Sequence, residues 1–196
     1  MSIIVFRNGS LAREALRDSL SLDWSAFDHD ALATTKADAG KNLMLPFFGA
    51  EITPRHDFTG PVTDLSDHAP ASLKVRALLE GQFLNMRQHS QWMKVKPARL
   101  LLTGGASKND GIAGIAADVF QAPVERLDVI NSAALGAALI AASAAGQDLA
   151  ELQKAFCQTT PGSAIQPDRS LAGTYDDALG RFETLLEDTI APAQIA

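Results

Sequence analysis

Residues 98–114 read ARLLLTGGASKNDGIAG, an apolar run followed by two glycines and then by polar residues that can begin a helix. RLLLT is too short for a helix and ends at glycines, so it predicts a buried strand, and DGIAGIAADVF, from Asp110, predicts a helix. Glycines between a strand and a helix let a phosphate or a nucleotide approach the backbone. Two kinds of nucleotide fold use this arrangement, one for dinucleotides and one for ATP.

Helical and strand patterns alternate through the rest of the chain. LAREALRDSL follows the capping residue Ser10, and a second helix can begin after Asp23. ASLKVRALLEGQFLNMRQHSQWM, from Ala71, is the strongest helical pattern and contains Arg76 and Glu80 as an i,i+4 pair. Near the C-terminus, LAGTYDDALGRFETLLEDTI predicts a last amphipathic helix.

The strand patterns are shorter. Ile3 to Phe6 predicts a strand, as does APVERLD, whereas Pro46 limits LMLPFF to an edge strand, a bulge or a loop. NSAALGAALIAASAAG, from Asn131, is mostly alanine and predicts a buried helix that is too short to cross a bilayer. Residues 52–70 predict an ordered surface segment. The alternation predicts one α/β domain, with helices packed on a sheet.

Composition and charge exclude several classes of function for this chain. The chain has 196 residues, enough for a substantial core, and a net charge of −6 with lysines and arginines scattered along it. This pattern predicts neither a nucleic-acid partner nor a membrane partner. Cys157 is the single cysteine and the four histidines show no zinc-like spacing, so we expect a reducing, cytoplasmic location and no metal site. The N-terminus shows no signal-peptide pattern.

The dinucleotide interpretation rests on a likeness to the TGGxxGIG turn of short-chain dehydrogenases. Those enzymes place the turn after their first strand, whereas Thr103 lies near the middle of this chain. They also need a tyrosine with a lysine four residues later, and the only tyrosine, Tyr175, is followed at that distance by Leu179. Because GGASKNDG also lacks the G-x-G-x-x-G spacing, the sequence disfavours a dinucleotide site.

The ATP interpretation gives each residue of the turn a role. Thr103 to Ala106 would form a turn at a strand tip, where adenosine and phosphates lie against the main chain. Ser107 would cap the following helix, and Asn109 would reach the base or the ribose. Small residues such as Gly136 would let the later alanine-rich helix pack closely against a partner element.

Several motifs in the same order resemble one family. LLLTGGASKN, AADVFQAPVERLD and NSAALGAALIAA are similar to the C-terminal domain of the FGGY carbohydrate kinases, and VFRNGSLAREALRD, WSAF, GKNLMLPFFGAEITP and VRALLEGQF resemble the xylulose kinases among them. The resemblance extends over nearly the whole chain. It implies a ribonuclease H-like α/β fold of the actin, hexokinase and Hsp70 superfamily, with a mixed sheet flanked by helices, in which residues 1–196 form the nucleotide-binding lobe.

The resemblance also implies an activity. The family transfers the γ-phosphate of ATP, with Mg²⁺, to a sugar, and the xylulose kinases convert D-xylulose to D-xylulose 5-phosphate. The catalytic aspartate, the sugar-binding residues and most magnesium ligands would belong to an N-terminal domain that would precede Met1, so we expect no catalytic residue in this chain. The alternative is an inactive stand-alone nucleotide-binding module, or a partner of a separately encoded N-terminal lobe.

The nucleotide residues follow from the same resemblance. Gly104, Gly105, Ala106 and Asn109 match the adenine-nucleotide turn of the family, and Trp24 matches an aromatic position that contacts the nucleotide. From periodicity alone, Trp24 could instead belong to a core stripe with the residue three positions later, and two glycines could form an ordinary turn.

The sequence does not decide the role of two surfaces. His89 and Trp92, near the end of the long helix, can form a surface patch or a domain contact. The surface that would face the missing lobe could be an exposed apolar patch. Because such patches promote association, a homodimer of the lobe is one expected state.

Overall fold

A 20-residue helix, α3 (Ala71–Ser90), lies at the centre of the protein. The structure is a computed structural model that describes residues 2–33, 36–57, 59–129 and 131–190. Every residue of α3 from Val75 to Asn85 is buried, so the helix is covered on all sides along this length. It contacts helices before and after it in the chain, and also a short strand. The predicted long helix is therefore confirmed.

The first half of the chain wraps around α3. Two helices, α1 (Ser10–Ser19) and α2 (Trp24–Ala33), are followed by an antiparallel pair of two-residue strands, β1 (Met44–Leu45) and β2 (Val62–Thr63). The strand predicted for residues 3–6 is wrong, because this segment is not paired with any strand among the described residues and Ile3 is 72% exposed. Strand propensity depends on packing against neighbouring strands, and within the described ranges no strand lies beside this segment.

The second half forms a small mixed sheet with helices. β3 (Leu100–Leu102) pairs in parallel with β4 (Val124–Arg126), and α4 (Asp110–Phe120) connects them. On the other side of β4, residues 159–165 make two antiparallel bridges. The later helices are α5 (Ser132–Ala144), α6 (Leu149–Phe156) and α7 (Ala172–Ile190). Short 3-10 turns cover Lys36–Asp38, Gln91–Met93, Gly105–Lys108 and Arg169–Leu171.

Burial differs from the sequence-based expectation in two elements. β3 was expected to be buried, but Leu101 is 44% exposed, since β4 is its one paired strand within the described ranges. α5 was also expected to be buried, and of its residues only Leu139 is. Alanine and leucine content predicts burial only where another element lies against the helix, and α5 makes its main contact with α6, which was not predicted. No helix within the described ranges is both long and apolar enough to span a membrane.

A buried polar cluster links α3, α7 and the loop after α2. The Glu80 carboxylate accepts hydrogen bonds from Arg76 Nε at 2.8 Å, from the Tyr175 hydroxyl at 2.8 Å and from Gly40 N at 3.1 Å. The predicted i,i+4 pair is thus confirmed, but it lies in the core, with Glu80 only 1% exposed. Burial raises the pKa of Glu80, although the charge of Arg76 opposes this shift, and burial also raises the pKa of Tyr175.

A second polar cluster fixes the segment before α1. The buried Glu51 carboxylate accepts hydrogen bonds from the backbone N–H of Arg7 at 2.6 Å and of Asn8 at 2.9 Å. Gln82, on α3, donates to the carbonyl oxygens of Asn8 and Gly9, both at 2.8 Å. These bonds determine where α1 begins, and therefore how α1 and α2 lie over α3.

Gly81 allows α3 to touch β1. A Cβ atom added at Gly81 would lie 1.9 Å from the Met44 carbonyl oxygen, so we predict that Gly81→Ala forces the helix and strand apart and destabilises the fold by about 3 kcal/mol. Urea unfolding measures this cost. The matched control is Gly180→Ala in α7, where an added Cβ would meet no atom within 4 Å, and alanine should stabilise that helix by up to about 1 kcal/mol. Equal stability of the two variants would contradict the packing described here.

Candidate nucleotide site

The glycine turn follows β3 directly. Gly104 has φ 88° and ψ −177°, a backbone conformation that favours glycine, and the 3-10 turn Gly105–Lys108 begins after it. The Ser107 hydroxyl donates to the Gly104 carbonyl oxygen at 2.7 Å, and the Ser107 N–H bonds to the same oxygen at 3.2 Å. A Cβ added at Gly104 or Gly105 would meet no atom within 4 Å, so the space over both glycines is open.

Asn109, not Ser107, caps α4. Its Oδ1 accepts a hydrogen bond from Ile112 N at 3.1 Å, and its Nδ2 donates to the Asp28 carbonyl oxygen, on α2, at 3.3 Å. The prediction that Ser107 caps this helix is wrong, because Ser107 lies within the 3-10 turn and its hydroxyl bonds backward to Gly104. Asn109 thus ties the start of α4 to α2 and fixes the end of the turn.

Trp24 stands at the first turn of α2, opposite the glycines. Asp23 Oδ1 accepts a hydrogen bond from Ala26 N at 2.7 Å and so stabilises this end of the helix. Trp24 is 44% exposed while Phe27 is 1% exposed. Trp24 is therefore a surface residue and Phe27 a core residue, although both lie at helical spacing. Their rings meet edge to face at 5.6 Å, and the Arg17 guanidinium lies 4.4 Å from the centre of the Trp24 ring.

Three clefts surround the turn. One of about 340 Å³ lies between α1, α2 and the turn, and brings Trp24 together with Gly105 and Ala106. A second, of about 400 Å³, shares Gly105 and Ala106 and also contacts Asn109. A third, of about 360 Å³, lies behind Gly104. The structure therefore gathers all five residues chosen from the sequence around one turn.

Seven charged residues of these clefts were not chosen from the sequence. Asp28 lines the first two clefts, four residues after Trp24 and so on the same helix face, which is a signal that could have found it. Lys108 and Arg126 line the cleft behind Gly104, and Arg126 also pairs with Asp110 at the start of α4. Arg13 donates to Gln82 Oε1 at 3.0 Å, and burial lowers the pKa of this arginine. No local pattern in the sequence brings Arg13 or Arg126 to the turn. The carboxylates Glu14, Asp110 and Asp128 also line these clefts.

The arrangement suits a nucleotide and not a metal ion. An aromatic ring beside a glycine turn can receive a planar base, and open backbone near a lysine and an arginine can receive phosphates. Among the residues with described positions, no three histidine, cysteine, aspartate or glutamate side chains group closely enough to hold a metal. The described residues therefore offer no cluster that could hold a metal ion by three or more protein side chains.

Comparison with known proteins identifies the family. The family described as "FGGY family of carbohydrate kinases, C-terminal domain" matches residues 5–145. Xylulose kinase from Mus musculus is 36% identical over 99% of this chain, which corresponds to 37% of the mouse protein. Glycerol kinase from Azotobacter vinelandii is 30% identical over 94% of this chain and 38% of its own length.

Solved structures agree on the fold. Xylulose kinase from Rhodospirillum rubrum superposes with a TM-score of 0.76 at 28% identity, covering 95% of this chain and 39% of that one. Ligand-bound xylulose kinase from Lactobacillus acidophilus gives a TM-score of 0.79 at 23% identity, with the same coverage of both chains. This chain thus spans less than two fifths of the length of these relatives. It has the fold of the sugar kinases and belongs to the FGGY family of carbohydrate kinases, whose C-terminal domain it matches.

Proposed function

We propose that this chain is the ATP-binding lobe of a sugar kinase. The observation that carries the proposal is the convergence of Trp24 with Gly105 and Ala106 on one cleft, next to the cap residue Asn109. In this proposal the adenine ring lies against Trp24 in the first cleft. Because Arg17 covers one face of the Trp24 ring, the base uses the other face.

The backbone of the turn would hold the adenosine and lead the phosphates away from it. Gly104 and Gly105 carry no Cβ, so the main chain can touch the ligand where a side chain would intervene. Lys108, which is exposed and lines two of the three clefts, is the nearest cation to the turn in sequence and can neutralise phosphate charge. Asn109 contributes by holding α2 and α4 at a fixed separation, and it borders the second cleft.

D-xylulose is the proposed acceptor, because the similarity to xylulose kinases covers almost all of this chain. The proposed reaction is transfer of the ATP γ-phosphate to a sugar hydroxyl with Mg²⁺. Such transfer depends on positioning and on neutralisation of charge by metal, which needs carboxylates beyond those that this lobe groups together. An N-terminal lobe would supply them, together with the sugar site. This lobe would then provide ATP in a fixed orientation.

Nucleotide binding can be tested by calorimetric titration of the purified chain with ADP. Stacking of a base on an aromatic side chain is worth about 1–3 kcal/mol, so Trp24→Ala should weaken ADP binding by roughly 5- to 150-fold. Trp92→Ala is the matched control, since Trp92 is also exposed but lines none of the three clefts. Asn109→Ala should weaken binding by loosening the start of α4. Unchanged affinity in both site variants would place the nucleotide elsewhere.

The lobe alone should transfer no phosphate. We expect no xylulose 5-phosphate when the chain is incubated with ATP, Mg²⁺ and D-xylulose, because its described side chains form no group of three or more potential metal ligands. Full-length mouse xylulose kinase serves as the positive control in the same assay. Product above the background of an enzyme-free sample would show that the chain carries its own catalytic residues, and would overturn the assignment as a nucleotide-binding lobe only.

A further inference from the structure

Asp28 lies where two of the three clefts around the glycine turn meet. The cleft that contains Trp24 and the cleft that contacts Asn109 share three lining residues, Asp28, Gly105 and Ala106. Of these three, Asp28 alone has a polar side chain. A ligand that passes from one cleft into the other therefore passes a carboxylate.

The position of Asp28 relative to the turn is fixed by its backbone. Asn109 Nδ2 donates a hydrogen bond to the Asp28 carbonyl oxygen at 3.3 Å, while Asn109 Oδ1 accepts from Ile112 N at 3.1 Å. The Asn109 amide is thus engaged at both ends within the protein. Asp28 is exposed, and its carboxylate bonds to no side chain or backbone group among the residues that the structure describes. The carboxylate is therefore available to a ligand.

The charges of the clefts determine where the phosphates of a nucleotide can lie. The cleft that contacts Asn109 is lined by two carboxylates, Asp28 and Asp110, and by one cation, Lys108. The cleft behind Gly104 is lined by two cations, Lys108 and Arg126, and by one carboxylate, Asp128. Because phosphates are negatively charged, the excess of positive charge favours them behind Gly104, away from Asp28.

The part of the nucleotide beside Asp28 is then the sugar. Trp24 and Asp28 are four residues apart on one face of α2, which separates them by about 6 Å along the helix axis. This separation is comparable with that between the base and the sugar of a nucleoside. Gly105 lines all three clefts, so a nucleotide can extend past it with the base at Trp24 and the phosphates behind Gly104.

We propose that Asp28 binds the ribose of the nucleotide and selects ribonucleotides over 2′-deoxyribonucleotides. This role rests on the proposed nucleotide site. The two carboxylate oxygens only accept hydrogen bonds, and the 2′- and 3′-hydroxyls of ribose donate to them. A carboxylate recognises the ribose 2′-hydroxyl in the same way in dinucleotide-binding folds. A 2′-deoxyribose removes one donor and leaves the carboxylate with an unmet acceptor.

The test is calorimetric titration of the full 196-residue chain with ADP and, separately, with 2′-deoxy-ADP. Hydrogen bonds to charged groups are among the strong ones, so wild type should bind ADP about tenfold more tightly than 2′-deoxy-ADP. Asp28→Ala keeps the backbone bond to Asn109, and it should bind ADP about tenfold more weakly than wild type, with equal affinity for the two nucleotides. The matched control is Asp188→Ala, because Asp188 is exposed on α7 and lines none of the three clefts. It should keep the preference of wild type.

Equal affinity of wild type for ADP and 2′-deoxy-ADP would overturn the role of Asp28. So would an Asp28→Ala variant that keeps the preference, or one that binds ADP more tightly because a repulsive charge has been removed. If Trp24→Ala still weakens ADP binding, these results refute the ribose contact and leave the proposed function standing. A wild-type chain that binds no ADP would overturn both. Circular dichroism checks the fold of each variant.

Discussion

The approach of α3 to the Met44 carbonyl oxygen at Gly81 sets the positions of the elements around it. With no side chain at Gly81, β1 lies directly on the helix, and the buried length of α3 is left to contact α1, α2, α4 and α7. Two of these helices form the candidate site: α2 carries Trp24, and α4 begins at the end of the glycine turn. The distance between the Trp24 ring and the glycine turn is therefore set by the packing of α2 and α4 on α3.

The Glu80 cluster adds specificity to that packing. Burying the charges of Glu80 and Arg76 costs free energy. Their mutual attraction and the hydrogen bonds with Tyr175 offset much of this cost, but only while the three side chains keep their positions. An apolar pair of similar volume would tolerate small shifts of α7 against α3. The charged cluster does not, because a shift would leave a buried carboxylate without its donors. Its effect on the site is indirect, through the position of α3.

Local patterns predicted the parts of the fold that local forces determine. The helix α3, the glycine turn after β3 and the strand–helix–strand order of β3, α4 and β4 were all predicted from the sequence and are present. The family resemblance added Trp24, which periodicity could not separate from Phe27. Only the packing of α2 on α3 shows that Phe27 is the core residue and that Trp24 faces a cleft.

Most of the failures have the opposite cause, since they depend on contacts between distant residues. The segment from Ile3 has strand-forming residues but no strand beside it among the described residues, and α5 has a buried composition but few neighbours. Ser107 and Asn109 are both good caps, and Asn109 is the one used because Ser107 lies within the 3-10 turn with its hydroxyl bonded to Gly104. Arg13 joins the site through folding of α1 onto α3, which no local pattern encodes.

The central claim is that ATP binds between Trp24 and the glycine turn, and a crystal structure of the chain with ADP tests it most directly. We expect electron density for the adenine ring against the face of Trp24 that Arg17 does not cover, with the ribose beside Gly105 and Ala106. Density for ADP anywhere without contact to Trp24 would contradict it.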